Sequence, residues 1–294
     1  MPAELIDGRA VAQRVRADVA VRVNRLVASG VKPGLAVILV GDDPASGVYV
    51  RSKGRACEEA GMYSRTICLP AETSQAELLE HVAALNSDPT IHGILVQMPL
   101  PMQIDPDAII LSIDPHKDVD GFHPINVGKM LVGERDGFIP CTPAGIQLLL
   151  KSSGVRTSGK NCVVIGRSNI VGKPMAALMM QDNDDANCTV TVCHRHTVDL
   201  KSHTLAADIL ISAAGRAGMV TADMVKPGAV VIDVGTNRVA DPTARSGMRL
   251  QGDVDFEAVR QVASKITPVP GGVGPMTIAM LMVNTARAAE MTLS

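Results

Sequence analysis

Residues 163–174 read VVIGRSNIVGKP and carry the strongest fold signal in the chain. Residues 162–165 are apolar and mostly β-branched, which predicts a buried strand. Gly166 ends this strand, and Gly172 leads into an apolar segment, residues 175–180, that predicts a helix. Such a turn brings free backbone N–H groups and a helix dipole to one point, which favours an anion. The spacing differs from G-x-G-x-x-G, so the turn alone is equally consistent with an ordinary strand–turn–helix connection.

The composition restricts the class of protein. With 294 residues the chain is long enough for two domains with separate cores. A formal net charge of -2 without a sustained basic run argues against nucleic acid as a partner. No apolar run reaches the length of a membrane span, and the N-terminus lacks the apolar core of a secretory signal. Because six cysteines occur without a CxxC pair, we expect reduced thiols and a cytoplasmic protein.

Helix and strand patterns alternate along the first half of the chain. Predicted helices cover residues 8–29, 44–60 and 73–86, and predicted strands cover residues 35–40, 63–69 and 91–97. Strands that alternate with helices indicate parallel pairing through right-handed crossovers, and hence an N-terminal α/β domain. A loop-rich region with several prolines then runs to Pro140, and a helix is predicted over residues 142–153.

The second half repeats the pattern and predicts a Rossmann-like parallel sheet. Further strands are predicted at residues 188–193, 209–213 and 229–234, followed by a short helix after Asp253. The last amphipathic helix, residues 277–289, is expected to return to the first domain. The predicted domains are therefore residues 1–140 with 271–294, and residues 141–270.

A Tyr–Lys pair is the first candidate for chemistry. Tyr49 and Lys53 are four residues apart in a predicted helix, so their side chains share a face. Partial burial of an ammonium favours its neutral form, which makes such a lysine a candidate for proton transfer. An exposed lysine beside a tyrosine that only packs is the simpler alternative. The Y-x-x-x-K pair of short-chain dehydrogenases follows the nucleotide motif, whereas here the pair precedes it by more than a hundred residues.

Two further clusters suggest metal sites at first sight. Asp118 and Asp120 lie in KDVDGFHP, but a calcium loop in this register would place His116 and Val127 where carboxylates are needed. An acidic residue here either pairs with the ring nitrogens of a heterocycle or caps a turn. The second cluster, which suggests zinc, lies in a segment that alternates as a strand and directs its two cysteines to opposite faces. Its members are Cys188, Cys193, His194 and His196. We therefore predict no metal.

The residues that follow the predicted strand 188–193 predict the cofactor. A fold that selects NAD usually places Asp or Glu about 20 residues beyond the glycines, on the ribose hydroxyl. This chain has His194, Arg195 and His196 there, with Arg167 in the glycine turn. Cationic groups at this point favour a 2′-phosphate, and hence NADP.

Five blocks of sequence together resemble the bifunctional methylenetetrahydrofolate dehydrogenase/cyclohydrolase family. They occur in the family's order and span nearly the whole chain: VYVRSK (48–53), VQMPLP (96–101), KDVDGFHP (117–124), GRSNIVGKP (166–174) and PVPGGVGPMT (268–277). The resemblance implies a homodimer of two-domain subunits with a folate cleft between the domains. It also implies oxidation of 5,10-methylenetetrahydrofolate with NADP, and hydrolysis of the methenyl product to 10-formyltetrahydrofolate.

The resemblance further implies roles for single residues. Lys53 would transfer protons, Gln97 would orient it, Tyr49 would stack on the folate and Asp120 would hold the pterin. The remaining substrate-binding positions would be Val96, Pro99, Leu100, Gly271, Gly272 and Pro275. The cofactor-binding positions would be Gly166, Arg167, Ser168, Ile170, Gly172, Arg195 and Thr236.

The sequence departs from the family pattern at two positions. Arg195 stands where many members have a serine that binds phosphate, and Ala217 stands where proline is common. Two alternatives remain open at this point: the same fold performing only the dehydrogenase step with NAD, or a nucleotide-binding module without catalysis. Such a module would not need SGVYVRSK or KDVDGFHP, and both blocks are intact.

Overall fold

The structure is a computed structural model that describes residues 1–244 and 247–293, with the backbone alone at positions 44 and 45. Its strands are β1 (Glu4–Leu5), β2 (Gly34–Val40), β3 (Tyr63–Leu69), β4 (Gly93–Val96), β5 (Asn161–Ile165), β6 (Thr189–Cys193), β7 (Ile209–Ser212), β8 (Val230–Asp233), β9 (Asn237–Ala240), β10 (Met248–Gln251) and β11 (Lys265–Ile266). Its α-helices are α1 (Gly8–Ala28), α2 (Pro44–Glu59), α3 (Gln75–Ser87), α4 (Pro106–Ser112), α5 (Pro124–Val132), α6 (Cys141–Ser152), α7 (Gly172–Met179), α8 (Leu200–Leu205), α9 (Phe256–Val259) and α10 (Val273–Glu290).

The chain divides into two compact units. Met1–Ala12 and Thr142–Thr277 form one, which we call the six-stranded unit. Gln13–Cys141 and the segment from Ile278 onward form the other, the three-stranded unit. The boundaries of the domains that the sequence predicts stay a prediction.

The three-stranded unit is built on a parallel sheet in the order β3-β2-β4. Every residue of the central strand β2 is buried, as its continuous apolar run predicts. Strand β3 has the bounds that the sequence predicts. Ser74 caps α3 by accepting a hydrogen bond from the Glu77 N–H, and the Glu77 carboxylate accepts one from the Ser74 N–H in return. This reciprocal capping box explains why α3 begins where it does.

Two helices, α4 and α5, lie within the region that we expected to be loop-rich. Both begin with proline at the first helical position, where the missing N–H costs nothing. Asp105 caps α4 by accepting from the Asp107 N–H at 3.0 Å, and the His123 ring caps α5 by accepting from the Ile125 N–H at 3.2 Å. The prolines therefore start two short helices here, which the prediction of a loop-rich region did not include.

The C-terminal helix α10 packs in the three-stranded unit, as predicted. Leu281 and Met282 share a buried apolar cluster with Val19 and Val23 of α1. Arg22 of α1 also donates two hydrogen bonds to the Glu290 carboxylate, at 3.0 and 2.8 Å. The helix begins at Val273 rather than at residue 277, so it includes part of the glycine-rich segment.

The six-stranded unit contains a parallel sheet in the order β1-β11-β8-β7-β5-β6. The four strands predicted in this half are present, with bounds that differ by one residue or so. The two-residue strands β1 and β11 and the antiparallel hairpin β9–β10 were not predicted. The strand order reverses between β5 and β7, so a ligand crevice is expected outside their carboxyl ends. In the described part of the chain, no helix is long and apolar enough to cross a bilayer.

Candidate functional site

Helix α2 presents Tyr49 and Lys53 on one face of the three-stranded unit. Asp43 fixes the start of this helix, because its carboxylate accepts from the Ser46 N–H at 2.8 Å and from the Ser46 hydroxyl at 2.7 Å. One helical turn separates the two candidate side chains, but their surroundings differ. Tyr49 is 40% exposed, whereas Lys53 is 8% exposed. The tyrosine is therefore available to stack on a ligand, and the lysine is largely withdrawn from water.

Lys53 is held by Gln97, which follows strand β4 directly. The Lys53 Nζ donates to the Gln97 Oε1 at 3.0 Å, and the Gln97 Nε2 donates to the carbonyl of Met98 at 2.8 Å. The second bond fixes the amide so that its oxygen, the only acceptor it has, faces the lysine. Two residues that are 44 positions apart in sequence are thus brought into direct contact.

The loop after Lys117 gives its two aspartates different surroundings. Asp118 is 2% exposed and accepts from the Phe122 N–H at 3.2 Å, the His123 N–H at 2.8 Å and the Asn126 side-chain amide at 2.8 Å. Asp118 therefore holds the turn, which is the capping role that the sequence left open. Burial raises its pKa to about 6, because the loss of hydration outweighs the three hydrogen bonds.

Asp120 instead lies beside Lys53. Desolvation raises the pKa of Asp120 even though its side chain keeps some contact with solvent, while the Lys53 charge and the nearby Cys141 thiol oppose that rise. Gly121 makes this arrangement possible: its φ is +77°, and a Cβ there would lie 2.6 Å from the backbone nitrogen of Pro140.

We predict that the buried Asp118 makes stability depend on pH. Its pKa is about 6 in the folded protein and about 3.8 in an unfolded chain, so folding gains stability from this group as pH falls through 6. At about 1.4 kcal/mol per pKa unit, the difference in unfolding free energy between wild type and Asp118→Asn should change by up to roughly 3 kcal/mol between pH 7 and pH 4. Urea unfolding of both proteins measures this change.

The exposed Asp18 provides the control. Asp18→Asn makes the same chemical change at an exposed side chain and controls for the loss of one carboxylate. A constant difference between Asp118→Asn and wild type at all pH values would contradict the prediction.

Two supporting residues were missed by the sequence reasoning. The buried Cys141 donates its thiol hydrogen to the carbonyl of Val119 at 3.3 Å. Asn284 of α10 donates to the same carbonyl at 2.8 Å and to that of Ile139 at 3.1 Å. Together they fix the backbone that precedes Asp120. The one available signal was a polar Asn284 within the apolar run of the last helix.

The other substrate-binding candidates of this unit lie at the end of β4 and just after it. Val96 is buried in the strand, Pro99 is exposed after a cis peptide bond, and Leu100 packs against the apolar cluster of the sheet. All three lie within four residues of Gln97.

In the six-stranded unit, the turn between β5 and α7 requires both of its glycines. Gly166 has φ +120°, and a Cβ there would overlap the carbonyl oxygen of Ala213, while a Cβ at Gly172 would overlap the carbonyl of Gly166 itself. The Ser168 hydroxyl accepts from the N–H groups of Val171 and Gly172, at 3.2 and 3.3 Å. Arg167, Ser168 and Ile170 are exposed along the turn. The backbone is thus folded tightly, and the turn presents its side chains to solvent.

The segment after β6 presents a second cation at the same edge of the sheet, because β5 and β6 are adjacent parallel strands. Arg195 is exposed, and its Nε donates to the His196 ring at 3.1 Å. The His194 N–H donates to the Thr197 hydroxyl at 2.8 Å, which closes the turn. Thr236 is exposed beyond the carboxyl end of β8, at this same edge.

The cysteines near β6 are core residues. Cys193 is fully buried, and the Cys188 thiol donates to the carbonyl of Thr157 at 3.2 Å. Among residues 1–244 and 247–293, no three His, Cys, Asp or Glu side chains are grouped to hold a metal ion.

The glycine-rich segment before α10 packs on the start of α1 within the six-stranded unit. The Arg9 N–H donates to the carbonyl of Gly271 at 3.1 Å, and the Gly272 N–H donates to the carbonyl of Pro268 at 2.8 Å. A Cβ on Gly8 would overlap the carbonyl of Gly272, so only glycine fits there. Pro275 lies in the first turn of α10, not in a loop.

Comparison with known proteins identifies the family. Residues 6–120 match the model of the tetrahydrofolate dehydrogenase/cyclohydrolase catalytic domain, and residues 140–293 match the model of the NAD(P)-binding domain of the same family. The chain belongs to this family. The curated bifunctional protein FolD of Chlorobium limicola is 58% identical over 288 residues, which is 97% of each chain.

Solved structures agree with this assignment. The bifunctional FolD of Campylobacter jejuni is 49% identical, with a TM-score of 0.93 and 99% of each chain covered. The FolD of Trypanosoma brucei, solved with NADP cofactor and an inhibitor, is 42% identical with a TM-score of 0.95. The match covers 100% of this chain and 99% of the Trypanosoma brucei chain. The resemblance found in the sequence and the α/β fold class are therefore confirmed, while the roles of single residues stay predictions.

Proposed function

We propose that this chain oxidises 5,10-methylenetetrahydrofolate with NADP and then hydrolyses the 5,10-methenyl product to 10-formyltetrahydrofolate. The observation that carries the proposal is the buried Lys53, which contacts Gln97 and lies beside Asp120, in a member of this enzyme family. A nucleotide-binding module without catalysis would gain nothing from withdrawing a lysine from water in this way.

The hydrolytic step is assigned to Lys53. Water must lose a proton as it attacks the methenyl carbon, and a ring nitrogen must gain one as the tetrahedral adduct opens. In this step the Lys53 amine accepts the first proton and then returns it to the ring nitrogen, while the hydrogen bond to Gln97 orients the amine. Tyr49 stacks on the folate ring, and Asp120 accepts hydrogen bonds from the N–H groups of the pterin.

The edge of the six-stranded sheet fits NADP. The turn between β5 and α7 packs so closely that no Cβ atom fits at Gly166 or Gly172. Arg167 and Arg195 offer cations for a 2′-phosphate. NADP held at this edge would supply the hydride acceptor for oxidation of the methylene carbon. Arg167 and Arg195 set the specificity for NADP over NAD. The other proposed cofactor-binding residues are Gly166, Ser168, Ile170, Gly172 and Thr236.

A single assay tests both activities. Methylenetetrahydrofolate and NADP are mixed with the enzyme, and the absorbances of NADPH and of the methenyl compound are followed together. We expect NADPH to form with little methenyl compound remaining, and added methenyltetrahydrofolate to be hydrolysed without NADP. NADPH formation with quantitative accumulation of methenyl compound would leave only the dehydrogenase.

We further propose that the enzyme is a cytoplasmic homodimer. The dimer rests on the resemblance to the family, and the cytoplasmic location rests on six cysteines without a CxxC pair. Analytical ultracentrifugation at assay concentration should give about twice the 30.8 kDa mass of the chain, and a monomer would contradict the first of these proposals.

A further inference from the structure

Asp253, which the candidate site does not include, binds three consecutive backbone N–H groups of the loop after β7. Its carboxylate accepts from Ala214 at 2.7 Å and from Gly215 at 3.0 Å through Oδ2, and from Arg216 at 2.9 Å through Oδ1. Asn237 adds a side-chain hydrogen bond to Oδ1 at 2.9 Å. Because Asp253 is fully buried, these donors replace its hydration.

Asp253 is itself fixed by a second buried carboxylate, Asp233 at the end of β8. Asp233 accepts from the Asp253 N–H at 2.9 Å, from the Val254 N–H at 3.0 Å and from the Gly235 N–H at 2.9 Å. A Cβ on Gly235 would lie 2.6 Å from the Asp253 carboxyl carbon, so this approach requires glycine. The position of Asp253 is thus set from two sides.

The loop that Asp253 holds lies where the strand order of the sheet reverses. Ligands of open parallel sheets bind outside the carboxyl ends of the strands at such a point. Strands β5 and β7 are neighbours there, and Gly166 approaches the carbonyl of Ala213 so closely that a side chain is excluded. The loop and the glycine turn therefore lie side by side at the edge of the sheet where the NADP crevice is expected.

We propose that Asp253 is a positioning residue for cofactor binding: its carboxylate holds residues 214–216 in the conformation that shapes the NADP crevice. This inference rests on the proposed function. Asp253 itself is buried beneath the loop and acts through it.

Asp253→Asn tests the proposal with a minimal change of shape. Each carboxylate oxygen accepts from at least two donors, so an amide NH2 group in either orientation faces N–H groups that it cannot bind. We expect the KM for NADP to rise at least tenfold, with kcat at saturating NADP reduced less than threefold. Hydrolysis of added methenyltetrahydrofolate needs no NADP, and should stay within twofold of wild type.

Asp241→Asn is the matched control. Asp241 lies after β9 in the same unit and accepts from the N–H and hydroxyl of Thr243, at 2.9 and 2.6 Å in an exposed turn. The chemical change is the same, but Asp241 follows a strand of the separate two-stranded sheet, so the KM for NADP should not change.

Asn237→Ala is the milder second variant, in case Asp253→Asn does not fold. It removes one donor that orients the carboxylate, and should raise the KM for NADP two- to fivefold. An unchanged KM in either folded variant, or a parallel loss of both activities, would overturn the proposal. If wild type shows no NADP-dependent oxidation, the proposed function fails instead, so the two failures are distinguishable.

Discussion

In a Lys53→Met enzyme we expect the cyclohydrolase to be nearly abolished, while dehydrogenase activity falls less and methenyltetrahydrofolate accumulates. The two reactions differ in their need for proton transfer. Loss of hydride from the methylene bridge produces a cation that two folate nitrogens already share, so that step requires positioning more than acid–base help. Hydration requires a proton to be removed and then returned, which is worth roughly 10²–10⁴ in rate.

The surroundings of Lys53 support this expectation. The Lys53 residue is 8% exposed, and its amine donates to an amide oxygen that carries no charge, at 3.0 Å. The hydrogen bond to this amide oxygen fixes the direction of the amine. Methionine has a similar length and apolar character, so it should fill the same space without the nitrogen. Some loss of dehydrogenase activity is expected, because Lys53 also positions the substrate.

The measurement is the ratio of methenyl compound to NADPH during turnover. Lys32→Met, an exposed lysine of the same unit, is the control and should leave both activities unchanged. Retained cyclohydrolase in Lys53→Met, with folding and folate binding intact, would contradict the assignment and direct attention to Asp120.

Much of the fold was predictable from the sequence, because long apolar runs and clear breakers coincide. Strand β2 has a continuous apolar run, and α3 begins at a Ser/Glu capping box. The predictions failed where the signal is short or ambiguous. A two-residue strand such as β1 is too short to show the hydrophobic alternation of a strand. Its pairing with β11 depends on residues 261 positions away. Proline occurs both in loops and in the first turn of helices, so the prolines alone did not distinguish α4 and α5 from loop.

The candidate site was predictable as a set of residues but not as a geometry. The motif KDVDG does not distinguish Asp118, which binds backbone N–H groups, from Asp120, which lies beside Lys53. The two differ only through burial, which depends on the packing of segments distant in sequence. Asp253 was missed for the same reason: its three hydrogen bonds reach residues about 40 positions earlier, and a lone aspartate after glycine carries no local signal.

The choice of NADP over NAD should depend on Arg167. This residue follows Gly166 directly, is exposed, and projects from a turn whose backbone is fixed by close packing and by the Ser168 hydroxyl. A guanidinium offers several donors in a plane, which suits a phosphate. We expect Arg167→Ala to raise the KM for NADP roughly 10- to 100-fold, the effect of losing charge-assisted hydrogen bonds, and to change the KM for NAD less than threefold.

Arg195→Ser should be tolerated, and the contrast between the two arginines is the sharper test. Serine is the residue that many family members have at 195, and its hydroxyl also donates to phosphate. Arg195 already donates through Nε to His196 at 3.1 Å, so part of its donor capacity serves the turn itself. Arg156→Ala, an exposed arginine that precedes β5 at the opposite edge of the sheet, is the control for loss of positive charge and should leave both KM values unchanged. Steady-state kinetics with both cofactors gives all of these values. Equal use of NAD and NADP by the wild type, or equal losses with both cofactors in Arg167→Ala, would contradict a 2′-phosphate site at these arginines, since only NADP carries the group that they are expected to bind.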